Sequence, residues 1–271
     1  MSMYIREHDL LKKEIEDIVI ADLALAFAFS VIFAGGIGSS FSLLIYFFPM
    51  SLVAVSLSFI LHEYMHKKTA QKYGAIAAFK KSDIGVLITL VSSLFGFLLG
   101  IPGATIIYTS TFTRKEEGIV SLAGPLTNFA VFAVFFIAGI AIYGSPFTSH
   151  LLVTFGNGIL TLPYLENLIN LTLLISIILA FFNMLPIYPL DGSKVFKWNK
   201  AVYGATVLTI FIILLFIFPV AYLLFSFVFM LIIALFFSVF SNVRFIRFSR
   251  YGRVSMPFPN VTRRCDVNGL P

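Results

Sequence analysis

DIGVLITLVSSLFGFLLGIPGATIIYTS, residues 83–110, decides how this chain is threaded. The stretch is apolar and long enough to cross a bilayer, which takes about 20 residues as a helix. Basic residues nevertheless flank it on both sides, with Lys80 and Lys81 before it and Arg114 and Lys115 after it. Lys and Arg gather on the cytoplasmic side of membrane proteins, and a single crossing would carry one of these pairs to the far side. The segment is therefore expected to enter and return on the same side, or to lie along the protein. Gly100-Ile101-Pro102-Gly103 supplies a turn. The β-branched run Ala104–Tyr108 reads as a strand, and a hairpin of two short helices is the alternative. Non-helical backbone at membrane depth is tolerated only where it is buried in protein or lines a wet cavity. A cavity is expected beside this segment.

The composition sets the same frame. Of 271 residues, 59% are hydrophobic and 12% charged, against about 45–50% and 25% in a soluble domain. Such a chain belongs in a membrane. Apolar runs predict helices at 18–35, 42–66, 124–143, 164–186, 202–218 and 220–242, with Pro219 between the last two. Residues 4–17 alternate apolar and charged and read as an amphipathic surface helix. All 19 Lys and Arg fall within 6–13, 67–81, 114–115, 194–200 and 244–264. The connections 36–41 and 144–163 contain none. About six crossings with both termini cytoplasmic put every one of those charges inside. That arrangement accounts for the net charge of +6 better than nucleic-acid binding does.

The expected class is an all-α polytopic membrane protein with a short re-entrant or β-like segment. It divides into an N-terminal segment 1–17, a membrane domain 18–242 and a basic tail 243–271. In the tail, Arg244, Arg247, Arg250 and Arg253 alternate with Phe245, Phe248 and Tyr251, the pattern of an interfacial anchor. No connection is long enough for an appended soluble domain, and no cleavable signal peptide is visible. Cys265 is the single cysteine, which excludes an intrachain disulfide and any cysteine-based zinc site.

The chemistry concentrates in FILHEYMHKKTAQ, residues 59–71. Ionisable groups inside a membrane segment cost about 2.5–3.5 kcal/mol each on insertion scales, so something must offset His62, Glu63 and His66. Residues four apart share one helix face, and His62 and His66 can aim two imidazoles at one metal ion. Glu63 lies beside the first and can act as a general base. This is the His-Glu-x-x-His pattern of zinc metalloproteases, which needs one more protein ligand from elsewhere. The plainer reading is a pair of surface histidines facing headgroups. Their position closing an apolar run argues against it.

Few donors can complete such a site. His8 lies outside the bilayer, His150 lies in an external connection, and Glu166 is near the outer end of its helix. Asp22 and Asp191 are on the correct side. Asp191 stands in NMLPIYPLDGSKVF, residues 183–196. There Pro186 and Pro189 end the helix and Gly192 lets the backbone turn. That loop holds the carboxylate rigidly at the cytoplasmic end.

HEYMH at 62–66, SLAGPLTNFAVF at 121–132 and NMLPIYPLDG at 183–192 occur in an order and spacing that resembles the site-2 protease family of intramembrane zinc metalloproteases. The resemblance covers roughly residues 60–200. It implies one zinc ion per chain with His62, His66 and Asp191 as ligands and Glu63 as general base. Asn183, Pro186, Pro189, Asp191 and Gly192 match the family's Asn-x-x-Pro-x-x-Pro-x-Asp-Gly stretch. Gly124, Pro125 and Asn128 match its Gly-Pro stretch, which implies support of substrate or transition state by Asn128. The PDZ and CBS domains that many relatives carry do not fit here.

The resemblance also implies the partners: the lipid bilayer and the transmembrane segment of single-span client proteins, cut near the cytosolic face, with no nucleic acid. A helical client hides its peptide bonds, so it is expected to carry helix-weakening residues or to add as a strand to Ala104, Thr105, Ile106, Ile107 and Tyr108. Pairing predicts that Pro at Ile106 or Ile107 impairs cleavage more than Ala does. Rival classes are a metal transporter, a membrane zinc protease with a Glu as third ligand, and an inactive relative. The absence of an internal repeat and the clustering of ionisable residues near one face disfavour the transporter.

Overall fold

The computed structural model describes residues 2–38, 40–98, 102–108, 112–144 and 162–217. The expected helix 220–242, the basic tail, His150 and Cys265 lie outside the described residues. The elements are α1 (Ser2–Ala34), α2 (Phe41–Val55), a π-helical turn (Ser56–Ile60), α3 (Leu61–Lys72), β1 (Ile76–Lys81), α4 (Asp83–Leu94), β2 (Gly103–Tyr108), α5 (Arg114–Tyr143), α6 (Tyr164–Asn183), α7 (Asp191–Trp198) and α8 (Lys200–Ile217). Four spans are long and apolar enough to cross a membrane: Leu11–Ala34, Phe41–Lys72, Arg114–Tyr143 and Tyr164–Asn183. The chain is a multi-pass membrane protein. Six spans are not found among the described residues. The expected helix 202–218 is present as α8, whose described apolar part is shorter than a full crossing.

Helix ends differ from the sequence expectation for local reasons. The amphipathic stretch 4–17 runs without a break into α1. α5 begins ten residues before its apolar run, at Arg114 rather than 124. A capping box drives this, with the Thr113 hydroxyl accepting from Glu116 N–H and Glu116 accepting from Thr113 N–H. The charged first turn hides the helix from a hydropathy reading. α6 stops at Asn183, because the residue before Pro186 is pushed out of helical geometry.

α6 is the central element. It contributes Ile169, Leu173, Ile177 and Ala180 to one apolar cluster with Met184, Val195 and Ile210. It contributes Ile175 and Leu179 to another with Ala21, Leu25, Phe29, Ala54, Phe59 and Phe79. Small buried residues along α1, namely Ala21, Ala24 and Ala28, let its neighbours approach closely. Serines pin the π turn from two sides. Ser56 donates to Asp22 at 2.7 Å, and Ser58 and Ser176 are hydrogen-bonded at 2.7 Å. Such π turns often sit next to functional residues, and this one ends one residue before Leu61-His62.

The described parts of 83–108 run out along α1 and are back beside their starting point at Pro102. α4 starts at the Ser82 cap and packs along α1. Its last carbonyl, that of Leu94, accepts from Ile37 N–H at 2.7 Å, in the turn at the opposite end of α1. Gly36 in that turn has φ +77°, and a Cβ there would lie 2.8 Å from the Leu94 oxygen; only glycine fits. The chain has come back by Pro102, whose carbonyl accepts from Ser82 N–H at 2.7 Å. Gly103 then pairs with Lys81.

The β-like segment is present in a mostly helical chain: β1 and β2 form an antiparallel sheet in the register Ile76↔Tyr108, Phe79↔Thr105, Lys81↔Gly103. The strand expected at 104–108 is β2. Its partner IAAFKK was not anticipated, because Ala and Lys are poor strand formers. What holds β1 is its outer edge. Phe79 N–H donates to Glu14 at 3.0 Å and Lys81 N–H to Asp17 at 3.4 Å. Glu14 also accepts from Lys67 Nζ at 2.7 Å through both oxygens. Carboxylates of α1 therefore close that edge, which would otherwise be free to pair with another chain.

Candidate metal centre

α3 carries His62, Glu63 and His66, all buried, to the level of the sheet. Asp191, also buried, is the first residue of α7. His66 Nε2 lies 3.0 Å from His62 Nε2 and 3.0 Å from Asp191 Oδ2, and His62 Nε2 lies 3.4 Å from Asp191 Oδ2. A tetrahedral ion with ligand bonds of about 2.0–2.2 Å spaces its ligands about 3.3–3.5 Å apart. The His62–Asp191 separation matches that spacing, and the two separations at His66 Nε2, 3.0 Å each, are a few tenths of an ångström shorter.

The tautomer fits too. His66 Nδ1 is 2.7 Å from the Val120 carbonyl, which can only accept, so Nδ1 carries the proton. In the neutral ring Nε2 then presents a lone pair to the centre, as a metal-ligating histidine does. Three electron-pair donors in mutual contact repel one another unless a cation lies among them.

The fourth wall is α5. A Cβ on Gly124 would lie 2.5 Å from the Nε2 atoms of both His62 and His66, so glycine lets this helix close over the imidazoles. One turn along the same face, Asn128 is fully buried. Neither end of its carboxamide has a partner among the described residues. Pro125, inside α5, lacks the N–H that would otherwise bond the Ser121 carbonyl, in the turn whose Val120 carbonyl serves His66.

The loop 184–190 is held against the end of α6. A Cβ on Gly192 would lie 2.2 Å from the Met184 carbonyl oxygen, so this glycine allows α7 to start in contact with α6. Asn183 donates to the Leu179 carbonyl at 2.9 Å, within its own helix. Pro186 and Pro189 lie in the loop between α6 and α7. Asp22, the alternative ligand, is not with the imidazoles; it accepts from Ser56. Glu166 is buried at the far end of α6.

Glu63 points at the sheet. Its Oε2 accepts from Thr105 N–H at 2.9 Å and from the Thr105 hydroxyl at 2.8 Å. Sequence reasoning had Thr105 only as a strand residue, and nothing in GATIIY announces a contact with a helix 42 residues earlier. The Val120 carbonyl was missed as well, since a main-chain acceptor leaves no trace in the sequence.

The family model described as peptidase family M50 matches residues 50–207. A protein of Methanocaldococcus jannaschii, named as a candidate zinc metalloprotease, is 39% identical over 194 residues, covering 71% of this chain and 88% of its own. A Bacillus subtilis protein, named in the same way, is 26% identical over 172 residues, covering 56% of this chain and 71% of its own. No solved structure matches.

Proposed function

The chain belongs to peptidase family M50, the site-2 proteases, and from that premise we propose that it is an intramembrane zinc endopeptidase that cuts transmembrane segments of single-span clients near the cytoplasmic face. That it is a metalloprotease follows from the family. The clients, the site roles and the orientation are the proposal. The observation that carries it is the convergence of His62 Nε2, His66 Nε2 and Asp191 Oδ2 within 3.0–3.4 Å of one another.

His62, His66 and Asp191 would hold the ion, one per chain. Zinc would supply Lewis acidity to a water and to the scissile carbonyl. Glu63 takes the water's proton and delivers it to the leaving amide nitrogen. Asn128, with an unpartnered and fully buried carboxamide, offers a donor and an acceptor to the client backbone or to the charge that develops on its carbonyl. Both termini cytoplasmic, with the site near that face, is the orientation that the positions of Lys and Arg support.

Metal removal tests the core of this reading. The purified chain is expected to carry about one zinc, from a three-ligand catalytic site. Stripping with a chelator should abolish cleavage of a panel of single-span segments, and stoichiometric zinc should restore it. Undiminished cleavage by metal-free protein would overturn the assignment.

The outer edge of β2 is the proposed client site. Phe79 N–H and Thr105 N–H both point away from the sheet, to Glu14 and Glu63, although the two residues are register partners. Theirs is therefore a non-hydrogen-bonded pair. By alternation Ile106 N–H faces β1 and Ile107 N–H faces outward. Pro at 106 would break the sheet itself, and only Pro at 107 is diagnostic. Ile107→Pro is expected to lower kcat/KM about tenfold or more beyond Ile107→Ala, through loss of an outward donor. Equal effects of the two substitutions would reject pairing at this edge.

A further inference from the structure

The Glu63 carboxylate is tethered by one oxygen only. Both donors on Oε2 come from Thr105, through its N–H and its hydroxyl. That hydroxyl also lies 3.2 Å from the Glu63 carbonyl. It has one hydrogen to give, and the carboxylate is both nearer and charged. Oε1 accepts no hydrogen bond from any described residue. The two oxygens are thus made unequal by a single residue of β2.

We infer that Thr105 is the positioning residue of the base. It clamps Oε2, leaves Oε1 as the proton acceptor, and fixes Glu63 to the strand that receives the client. The inference rests on the reading of Glu63 as general base given above. A base must stay within about 2.6–3.2 Å of the proton it takes, and a free glutamate side chain has three torsions through which to wander. Thr105 removes that freedom with two bonds from one rigid stretch of backbone. Its side chain faces inward between two outward neighbours, Ala104 and Ile106, which are exposed. Val at this position would keep the shape and lose the hydroxyl; Ser would keep the hydroxyl and lose a methyl.

The clamp also sets the register of the client. Thr105 N–H is committed to Glu63 and is not available to an added strand. A client strand on this edge pairs at Ile107 and meets a gap in the ladder at Thr105. The peptide group opposite that gap lies beside the base. One strand therefore both binds the client and fixes the position of Glu63.

The experiment uses the purified full chain as wild type, Thr105→Val, Thr105→Ser, Glu63→Gln and Glu63→Ala. It measures kcat, KM and zinc per chain on one single-span client, and amide exchange across 103–108 in metal-free protein. Thr105→Val is expected to lower kcat about 10–100-fold, the scale of a small misplacement of a reacting group, with KM within about twofold and zinc unchanged. Thr105→Ser should recover the rate to within about threefold by restoring the hydroxyl. Thr105 N–H should exchange slowly in wild type and at least about tenfold faster in Glu63→Ala, where its acceptor is gone.

Wild-type kcat in Thr105→Val, an effect on KM alone, equal losses in Val and Ser, or exchange indifferent to Glu63→Ala would each overturn the positioning role. Full activity in Glu63→Gln is a different failure. It removes the base assignment, and the positioning role with it, while the exchange data still report whether the clamp exists.

Discussion

Glu63→Gln is expected to retain about one zinc per chain and to lose about 10²–10⁴-fold in kcat, the range set by general acid–base catalysis. The substitution is nearly isosteric. The Gln carbonyl oxygen can take the place of Oε2 and accept from Thr105 N–H and hydroxyl, which stand at 2.9 and 2.8 Å from it. The amide nitrogen then falls where Oε1 was, and it cannot take a proton. His62, His66 and Asp191 are untouched, so metal analysis should separate this variant from any ligand substitution. Full cleavage by Glu63→Gln would remove the general base from the mechanism. Loss of cleavage together with loss of zinc would mean that the substitution had disturbed the ligands.

The site was legible in the sequence where the chemistry is carried by side chains with strict spacing. His62 and His66 had to share a helix face because four residues make about one turn. Asp191 is 125 residues from His66, and no local rule joins them; the proline-bracketed loop and the family resemblance did. That the chain is back beside Ser82 by Pro102 was legible from the basic residues on both flanks and the count of crossings. The closed edge of the sheet was not. Glu14 and Asp17 looked like the polar face of a surface helix, yet they accept main-chain N–H groups of β1. A carboxylate that caps a strand has the same composition as one facing water, and only the tertiary arrangement tells them apart.

The helix boundaries carry a related lesson. Hydropathy placed the start of α5 at 124 and lost the turns from Arg114 onward, because four charged residues, 114–117, open them. They matter to the site. Val120, whose carbonyl fixes the His66 tautomer, belongs to that missed portion. So does Gly118, where a Cβ would lie 2.5 Å from Trp198 of α7, the helix that Asp191 begins. The portion of α5 that positions two ligands is thus the portion left outside the expected span 124–143.

Gly124→Ala is the second large effect. The added methyl would sit 2.5 Å from the Nε2 atoms of both His62 and His66, closer than a carbon and a nitrogen can approach without one of them moving. The clash is with the two atoms proposed to bind zinc. Either the imidazoles rotate, or α5 moves away from α3 and carries the Val120 carbonyl away from His66 Nδ1. Both responses spoil the ligand set, and loss of an outer partner alone typically costs about 10–100-fold in metal affinity. Zinc content should fall well below one per chain, with kcat/KM falling at least about 100-fold, and excess zinc should restore part of it. Gly204→Ala is the matched control in another apolar helix, because a Cβ there meets nothing within 4 Å. It should keep metal and rate, and gain slightly in stability from helix propensity, by about 0.5–1 kcal/mol. Full zinc and full rate in Gly124→Ala would mean that α5 does not press against the imidazoles, and the wall assigned to it would have to come from elsewhere.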